Sequence, residues 1–169
     1  MIQLRDYQQV LYDKTRNAFR NGNRRVLCVA PCGAGKTFLF SKMAENTNGE
    51  VLVLTHRREL LRQTKELFDA NGIKARFSMI LTEANRLGQY QKPKLIITDE
   101  AHLSRSRSWV KVLDYYDTFV CGFTATPVRL DCKPLGDIYD DLVQEVSVKY
   151  LIEHNLDGLH ILGAEQQPA

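Results

Sequence analysis

Short apolar runs alternate along the chain with longer polar stretches that carry apolar residues at helical spacing. The apolar runs lie at residues 25–30, 51–54, 95–98 and 119–123. The amphipathic stretches predict helices over residues 5–20, 36–46, 57–70 and 106–116. Strands that are apolar on both faces are typical of parallel sheets covered by helices. The pattern therefore predicts an α/β fold, with a mostly parallel sheet and helices on both faces.

Two stretches give a less regular pattern. Residues 75–81 are predicted as a strand that passes into a short helical turn. After Pro127 the sequence predicts a loop and then a helix near residues 147–155. No linker-like segment interrupts the chain, so we expect one domain over residues 1–160 and a tail over residues 161–169.

The composition is that of an ordinary globular protein. The 169 residues are 44% hydrophobic and 25% charged, and the net charge of +3 is compatible with nucleic acid without favouring it. The four cysteines form no C-x-x-C pair, so neither a zinc site nor a disulfide framework is predicted. No apolar run approaches about 18 residues, and the N-terminal segment has no signal-peptide pattern. We therefore expect a cytoplasmic protein with no membrane partner.

A glycine-rich turn follows the first predicted strand. Residues 30–37 read Ala-Pro-Cys-Gly-Ala-Gly-Lys-Thr and lead directly into a predicted helix. The backbone N–H groups of such a turn converge on an anion at the helix N-terminus, and nucleotide phosphates are the usual occupants. Lys36 is placed to reach the β- and γ-phosphates, and the Thr37 hydroxyl to hold Mg²⁺. The sequence departs from the pattern G-x-x-x-x-G-K-[ST] at its first position, where Ala30 stands in place of glycine. The alternative is a loop that precedes a helix by chance.

Acidic residues follow the predicted strand at 95–98. The sequence Asp99-Glu100-Ala101-His102 stands at the carboxyl end of that strand, where α/β proteins bind their ligands. Asp99 can bind Mg²⁺ there, partly through water, and Glu100 can orient and deprotonate an attacking water. An isolated Asp-Glu pair is more often part of a solvated loop. The glycine-rich turn upstream favours the functional interpretation here.

Basic residues mark another predicted strand–helix junction. His56, Arg57 and Arg58 follow the strand at 51–54 and can meet nucleic-acid phosphates. The alternative is a solvated helix start. That alternative is less favourable because arginine is disfavoured near the positive end of a helix dipole, and a bound anion would remove the conflict.

Two further features keep a structural explanation open. Thr124 and Thr126 flank a strand end before Pro127, where capping the turn explains them as well as a functional role does. Trp109 lies in the helix predicted over residues 106–116. We expect it to pack that helix onto the sheet rather than to contact nucleic acid.

The order of these motifs resembles that of the DEAD/DEAH-box helicases of superfamily 2, above all their type III restriction enzyme-like branch in bacteria and phages. Residues 30–37, 99–102 and 124–127 are similar to motifs I, II and III of the first RecA-like domain. The resemblance runs from about residue 2 to residue 160. It implies a RecA-like P-loop NTPase fold, ATP and Mg²⁺ as cofactors, and DNA or RNA as a partner.

The resemblance also implies a role for each matching residue. Hydrolysis would rest on Lys36, Asp99 and Glu100, with Mg²⁺ held by Thr37 and Asp99, partly through water. ATP would be bound by the phosphate loop and by a segment in which Gln8 reads adenine: Arg5, Tyr7, Gln8, Pro31, Cys32, Gly33, Ala34, Gly35, Lys36 and Thr37. Nucleic acid would be contacted by Thr55, His56, Arg57, Arg58, Gln63 and Thr82. Coupling between the two sites would fall to His102, Thr124 and Thr126.

Two departures from the family pattern change these expectations. The segment 72–82 is shorter than its counterpart, which usually carries two strands and a glycine-containing loop, so one strand or one nucleic-acid contact is expected to be missing. The sequence stops at Ala169, before a second RecA-like domain with its arginine fingers. We therefore expect weak hydrolysis, a separate chain that carries the second domain, and DNA rather than RNA as the nucleic acid. The alternative is a truncated module that binds nucleotide or nucleic acid without turnover.

Overall fold

The computed structural model of the protein describes residues 1–31, 33–99, 106–125 and 138–144. Its helices are α1 (Asp6–Arg20), α2 (Lys36–Glu45), α3 (Arg58–Ala70), α4 (Ile80–Asn85) and α5 (Arg107–Tyr116). Its strands are β1 (Arg25–Val29), β2 (Val51–Thr55), β3 (Arg76–Met79), β4 (Leu95–Asp99), β5 (Phe119–Thr124) and β6 (Asp141–Gln144). The predicted alternation of strands and helices is confirmed.

Six parallel strands form one sheet in the order β3-β2-β4-β5-β1-β6. The register places Val29 opposite Thr124 and Asp99 opposite Phe123, so the last residues of β1, β5 and β4 lie side by side. Because the strands all run in one direction, the loops that follow them emerge at the same edge of the sheet. This sheet order brings the glycine-rich turn, Thr124 and Asp99 to three neighbouring strand ends.

Helices cover both faces of the sheet, which confirms the predicted arrangement. On one face α1, α2 and α3 pack on alternate strand residues such as Cys28, Val53 and Phe123. On the other face α4 and α5 pack on the intervening residues, where Trp109 is fully buried. Side chains alternate between the faces along each strand, and both sets are apolar because both faces are covered. The prediction that Trp109 packs its helix onto the sheet is confirmed.

Some elements differ from the sequence-based expectation. The sequence pattern gives no strand at residues 141–144, because β6 is an edge strand in which only Val143 is buried. Ile80 and Leu81 begin α4 instead of ending a strand over residues 75–81, since Ile80 packs into the core beside Ala84 on the next helical turn. The helix expected near 147–155 lies outside the described residues.

The short segment 72–82 contains one strand where the resembling family usually has two. That strand, β3, pairs only with β2 and forms the edge of the sheet. Among the described residues, no helix has the length and apolar character that a bilayer crossing requires.

A buried ion pair ties α4 to β3 and α5. Glu83 is 1% exposed, and its two carboxylate oxygens accept hydrogen bonds from Nη1 of Arg76 at 2.9 and 2.8 Å. The Tyr116 hydroxyl donates to Glu83 at 2.6 Å, while Nε of Arg76 donates to Glu50 at 3.0 Å. Burial and the hydrogen bond with Glu83 raise the pKa of Tyr116 to about 12. Although burial opposes its charge, hydrogen bonds with Glu50 and Glu83 raise the pKa of the Arg76 guanidinium.

Candidate functional site

The strand ends arrange the predicted site residues in a row along one edge of the sheet. The glycine-rich turn follows β1, Thr124 ends β5, Asp99 ends β4, and Thr55 ends β2 just before the basic start of α3. Neighbouring strands lie about 4.8 Å apart, so β1 and β2 are roughly 14 Å apart, with β5 and β4 between them. The glycine-rich turn and the basic junction are thus separate places, and Thr124 and Asp99 lie between them.

The glycine-rich turn has a backbone that favours glycine. Gly33 and Gly35 have φ values of 82° and 73°, in the left-handed region. A Cβ on Gly35 would clash with Nε2 of Gln8, so a side chain there would displace the Gln8 amide from its hydrogen bond with Ala34. Gly35 directly precedes α2, a ten-residue helix that begins at Lys36. The turn therefore offers the first N–H groups of a helix, and the positive end of its dipole, to an anion.

Gln8 holds the N-terminal segment against this turn. The residue is 4% exposed, and its Nε2 donates to the carbonyl of Ala34 at 2.9 Å. The Tyr7 hydroxyl donates to the same carbonyl at 3.1 Å, and the backbone N–H of Arg5 donates to Oε1 of Gln8 at 3.0 Å. These bonds fix the amide but leave it a second N–H and a second acceptor position. It can still offer one donor and one acceptor to a ligand.

A cavity of about 260 Å³ opens beside Gln8, and we call it the Gln8 pocket. It is lined by Gln3, Arg5, Tyr7, Gln8, Gly33, Gly35 and Phe38. The volume is close to the lower limit of about 300 Å³ for small-molecule pockets, so the pocket suits one ring system of a larger ligand. Its walls combine a fixed amide with an aromatic ring.

The sequence interpretation missed Phe38 and Gln3 as lining residues. Phe38 is 45% exposed, although the helix it belongs to is otherwise packed on the core. The spacing holds a signal, because the core face of α2 consists of Leu39, Phe40, Met43 and Ala44 and leaves Phe38 outside it. This position leaves the ring of Phe38 free to line the Gln8 pocket. Nothing in the sequence marks Gln3.

The base of the glycine-rich turn is tied to the end of β5. The backbone N–H of Ala30 donates to the carbonyl of Thr124 at 2.9 Å, and Thr124 is fully buried. On the neighbouring strand, the hydroxyls of Thr98 and Tyr139 are hydrogen-bonded at 3.3 Å, one residue before Asp99. A backbone hydrogen bond thus links the base of the turn directly to Thr124.

Two thiols in the described strands, those of Cys28 and Cys121, are buried. Burial raises the pKa of the Cys28 thiol to about 12, while a hydrogen bond with Thr15 and the charge of Lys36 act in the opposite direction. Burial also raises the pKa of Cys121 well above its usual value. Both thiols are therefore neutral at physiological pH and serve as small core residues, as the sequence predicts.

The residues expected to hold Mg²⁺ offer it few protein donors. Thr37 lies in the first turn of α2, Asp99 ends β4, and both side chains are partly buried. Within the ranges that the structure describes, no cluster of three or more His, Cys, Asp or Glu side chains is placed to hold a metal. A hydroxyl and one carboxylate suit a hard cation that keeps several waters and takes its remaining oxygens from phosphates. These two described donors fit Mg²⁺ on a nucleotide and are by themselves too few for an all-protein cage.

The junction after β2 exposes two cations. Arg57 precedes α3 and Arg58 is its first residue, and both side chains are exposed. In the described part of the chain, no acidic side chain lies within ion-pair distance of either. Nε of Arg57 donates instead to Nε2 of His56 at 3.2 Å. Arginines at the positive end of a helix repel its dipole, and a phosphate bound there would relieve this repulsion.

Thr55 differs from the other residues expected to contact nucleic acid. It is 2% exposed, and its hydroxyl accepts a hydrogen bond from the backbone N–H of Arg57 at 3.2 Å. The hydroxyl of Thr55 therefore helps to shape the loop that carries Arg57, and its predicted contact with nucleic acid stays a prediction. Gln63 on α3 and Thr82 on α4 are exposed. Their predicted contacts stay predictions.

Four residues of the predicted site lie outside the described residues: Cys32, Glu100, His102 and Thr126. The roles assigned to them from the sequence stay predictions.

The chain is similar to known proteins. A family model described as "Type III restriction enzyme, res subunit" matches residues 1–89 and 76–129, and the two pieces overlap over residues 76–89, which include the end of the short segment 72–82. A 51.5 kDa protein of a Lactococcus phage is 36% identical over 132 residues, covering 74% of this chain and 29% of that protein. IRC3 of Saccharomyces cerevisiae, named as a candidate ATP-dependent helicase, is 29% identical over 187 residues, covering 89% of this chain and 27% of that protein. The chain thus spans under a third of either relative.

The fold has a counterpart among solved structures. The Type ISP restriction-modification enzyme LlaGI, solved with a DNA substrate mimic, superposes with a TM-score of 0.67 at 20% identity. The match covers 90% of this chain and 20% of that chain. At this identity the likeness concerns the fold, and it confirms the expected RecA-like sheet with helices on both faces.

Proposed function

The chain belongs to the type III restriction enzyme Res-subunit family of superfamily 2 helicases, and from this premise we propose that it is an ATP-binding, Mg²⁺-dependent helicase core domain. ATP binds at the glycine-rich turn and the Gln8 pocket. DNA binds at the junction after β2 and at α4. Hydrolysis of ATP is coupled to DNA binding through the strand ends that lie between the two sites.

One observation carries the proposal: the glycine-rich turn and the Gln8 pocket share a wall. The carbonyl of Ala34 accepts hydrogen bonds from both Gln8 and Tyr7, so the anion site opens directly beside a fixed amide and an aromatic ring. A nucleotide needs both parts, N–H groups for its phosphates and a donor–acceptor pair beside an apolar surface for its base. An anion site alone would not require a buried glutamine amide.

The proposed hydrolysis rests on positioning and charge. The ammonium group of Lys36 and the first N–H groups of α2 would stabilise negative charge on the phosphoryl group that is transferred. Mg²⁺ at Thr37 and Asp99 would supply neutralisation of the phosphate oxygens. Glu100 would orient the attacking water and accept its proton, so that water adds to phosphorus as the bond to the leaving diphosphate breaks.

DNA is the favoured nucleic acid. Two exposed arginines at a helix start suit backbone phosphates, which position a protein without reading sequence. The structurally similar LlaGI was solved with a DNA substrate mimic, whereas no feature of the basic junction favours RNA. The test is the rate of ATP hydrolysis with and without single- and double-stranded DNA and RNA. Stimulation by DNA supports the proposal, equal rates in all conditions would contradict coupling to nucleic acid, and no hydrolysis in any condition would leave only a nucleotide-binding module.

Phe38→Ala is expected to weaken ATP binding by about tenfold. An aromatic ring stacked on a base contributes about 1–3 kcal/mol, and the exposed ring of Phe38 is placed to supply that contact in the Gln8 pocket. Phe38→Trp should bind ATP as well as the wild-type chain does. In Phe38→Ala, the affinity for inorganic tripolyphosphate, which has no base, should change by less than about twofold. Calorimetric titration of each variant gives the affinities.

A matched control for Phe38 is Leu81→Ala, which also truncates an exposed apolar side chain but lies on α4. This variant should leave both affinities unchanged. If Phe38→Ala weakened ATP and tripolyphosphate equally, the effect would lie in the phosphate site, and the assignment of the pocket to the base would be wrong.

Glu100→Gln is expected to keep nucleotide affinity within about twofold of wild type while lowering the DNA-stimulated rate of hydrolysis at least about a hundredfold. The amide preserves shape but cannot accept the proton of the attacking water, and general-base catalysis contributes about 10²–10⁴-fold. Glu66→Gln makes the same change at an exposed position of α3 and should have no effect. Equal loss of binding and hydrolysis in Glu100→Gln would contradict the role given to this carboxylate.

A further inference from the structure

A second cavity lies at the opposite edge of the sheet from the glycine-rich turn. Its volume is about 340 Å³, within the range of about 300–1,000 Å³ for ligand pockets. It is bounded by the C-terminal halves of α1 and α2 and by the beginnings of β4 and β5. We call it the rear pocket. No residue of the proposed ATP or DNA sites lines it.

The rim of the rear pocket is positively charged. Arg16, Arg20 and Lys94 line it, and all three side chains are exposed. Arg16 donates to the hydroxyl of Tyr12 and Arg20 to the side-chain oxygen of Asn17, each at 3.4 Å. Across the described ranges, none of the three cations has an acidic side chain within ion-pair distance. Three such cations around one cavity favour an anionic occupant.

The floor of the rear pocket is apolar. Phe19 and Phe119 meet edge to face, with ring centroids 5.6 Å apart, and Leu95 is buried beside them. Both phenylalanine rings remain partly exposed. An occupant that brought its own apolar side chain would remove this surface from water, which favours binding in proportion to the apolar area covered.

Two aromatic rings of the rear pocket each have a guanidinium close to one face. The guanidinium of Arg16 lies 5.6 Å from the centre of the Tyr12 ring, and that of Arg24 lies 5.8 Å from the centre of the Phe119 ring. Single-stranded nucleic acid binds such sites mainly by stacking bases on open aromatic faces. These guanidinium groups compete with a stacked base for two of the rings and so disfavour a nucleic acid, whereas an aliphatic group or a ring edge needs no open aromatic face.

We propose that the rear pocket docks an acidic segment of a protein partner. One large apolar side chain of the segment fills the cavity over Phe19 and Phe119. Carboxylates on either side of that side chain meet Arg16, Arg20 and Lys94. The pocket opens at the edge opposite the ATP site, so a partner held there leaves the glycine-rich turn and the basic junction accessible. This docking site does not depend on the proposed ATPase function.

The test uses the full chain and fluorescein-labelled short peptides in which a central Phe, Leu or Trp is flanked by aspartates. At least one peptide should bind saturably in fluorescence anisotropy. The double variant Arg16→Glu with Lys94→Glu should weaken that peptide by at least about tenfold, because it reverses two of the three rim charges. The double variant Lys74→Glu with Arg86→Glu makes the same change in net charge at exposed positions outside the pocket. It should change the affinity by less than about twofold.

Each other outcome overturns the proposal. No binding by any peptide at millimolar concentration would show that the pocket is not an acidic-peptide site. If the two double variants weakened peptide binding equally, the binding would depend on net charge alone and not on the rear pocket. The pocket would be assigned to nucleic acid if a single-stranded oligonucleotide displaced the peptide and also bound more weakly to the Arg16→Glu, Lys94→Glu variant. Calorimetric titration with ATP separates this test from that of the proposed ATP site, since the Arg16→Glu, Lys94→Glu variant should bind ATP as well as the wild-type chain does.

Discussion

Lys36→Ala is expected to abolish ATP binding, with a loss of affinity of at least about a hundredfold. Lys36 begins α2 directly after Gly35 and carries the ammonium charge that this turn offers to phosphates. Hydrogen bonds to charged groups contribute about 1.5–3 kcal/mol each, so losing two of them accounts for an effect of this size. The measurement is the rise in unfolding temperature on adding Mg-ATP. At a ligand concentration of 100 times the wild-type Kd, binding adds about 2.7 kcal/mol to the stability of the wild-type chain and at most about 0.4 kcal/mol to that of the variant.

The control for this experiment lies on the same helix. Lys42→Ala removes an ammonium group from the last turn of α2, where Lys42 pairs with Glu45 at 2.8 Å, away from the glycine-rich turn. It should lose a little stability and keep the full stabilisation by Mg-ATP. A Lys36→Ala variant that Mg-ATP stabilises as much as the wild-type chain would contradict the placement of the phosphates at this turn.

Glu83→Ala is expected to lower the free energy of unfolding by about 3 kcal/mol. Removing one partner of a buried ion pair leaves the other charge uncompensated, which typically costs about 3–5 kcal/mol. Glu83 is almost fully buried and accepts hydrogen bonds from Arg76 and Tyr116. We expect the lower end of the range because Arg76 keeps Glu50 and the ring of Tyr90, 4.3 Å from its guanidinium. Urea unfolding gives the value, as a lower midpoint at unchanged slope.

The second partner of Arg76 supplies a matched control. Glu50→Ala breaks the ion pair between Arg76 and the more exposed Glu50 carboxylate, and exposed pairs contribute about 0–1 kcal/mol. It should therefore destabilise the chain by less than about 1 kcal/mol. If both variants lowered the free energy of unfolding by the same amount, the burial of Glu83 would not be what holds α4 against β3 and α5.

The main architecture could be predicted because its signals are local. Near-continuous apolar runs mark strands that are buried on both faces, and β1, β2, β4 and β5 all carry such runs. The glycine-rich turn is also local, since left-handed backbone at Gly33 and Gly35 requires glycine at those positions. The parallel order then follows, because the helices between strands must return the chain to the starting edge.

What the sequence did not predict depends on contacts between distant segments. Edge strand β6 buries only Val143, so it leaves no apolar run to detect. The bonds from Gln8 and Tyr7 to Ala34 join residues more than 25 positions apart, and only the folded chain brings them together. The same holds for Glu83, whose acidic side chain in a polar segment resembles a solvated residue until Arg76 and Tyr116 enclose it. Thr55 shows the same dependence on the folded chain, since its place at the end of β2 buries its side chain.

The most direct test of the central claim is a titration of the wild-type chain with a fluorescent ATP analogue in the presence of millimolar Mg²⁺. The structure joins the glycine-rich turn to the Gln8 pocket as one site, so we predict saturable binding of one analogue per chain. Unlabelled ATP and ADP should displace it, because both carry the base and the phosphates that the site would hold. The absence of saturable binding at millimolar analogue, with the chain folded, would contradict the account.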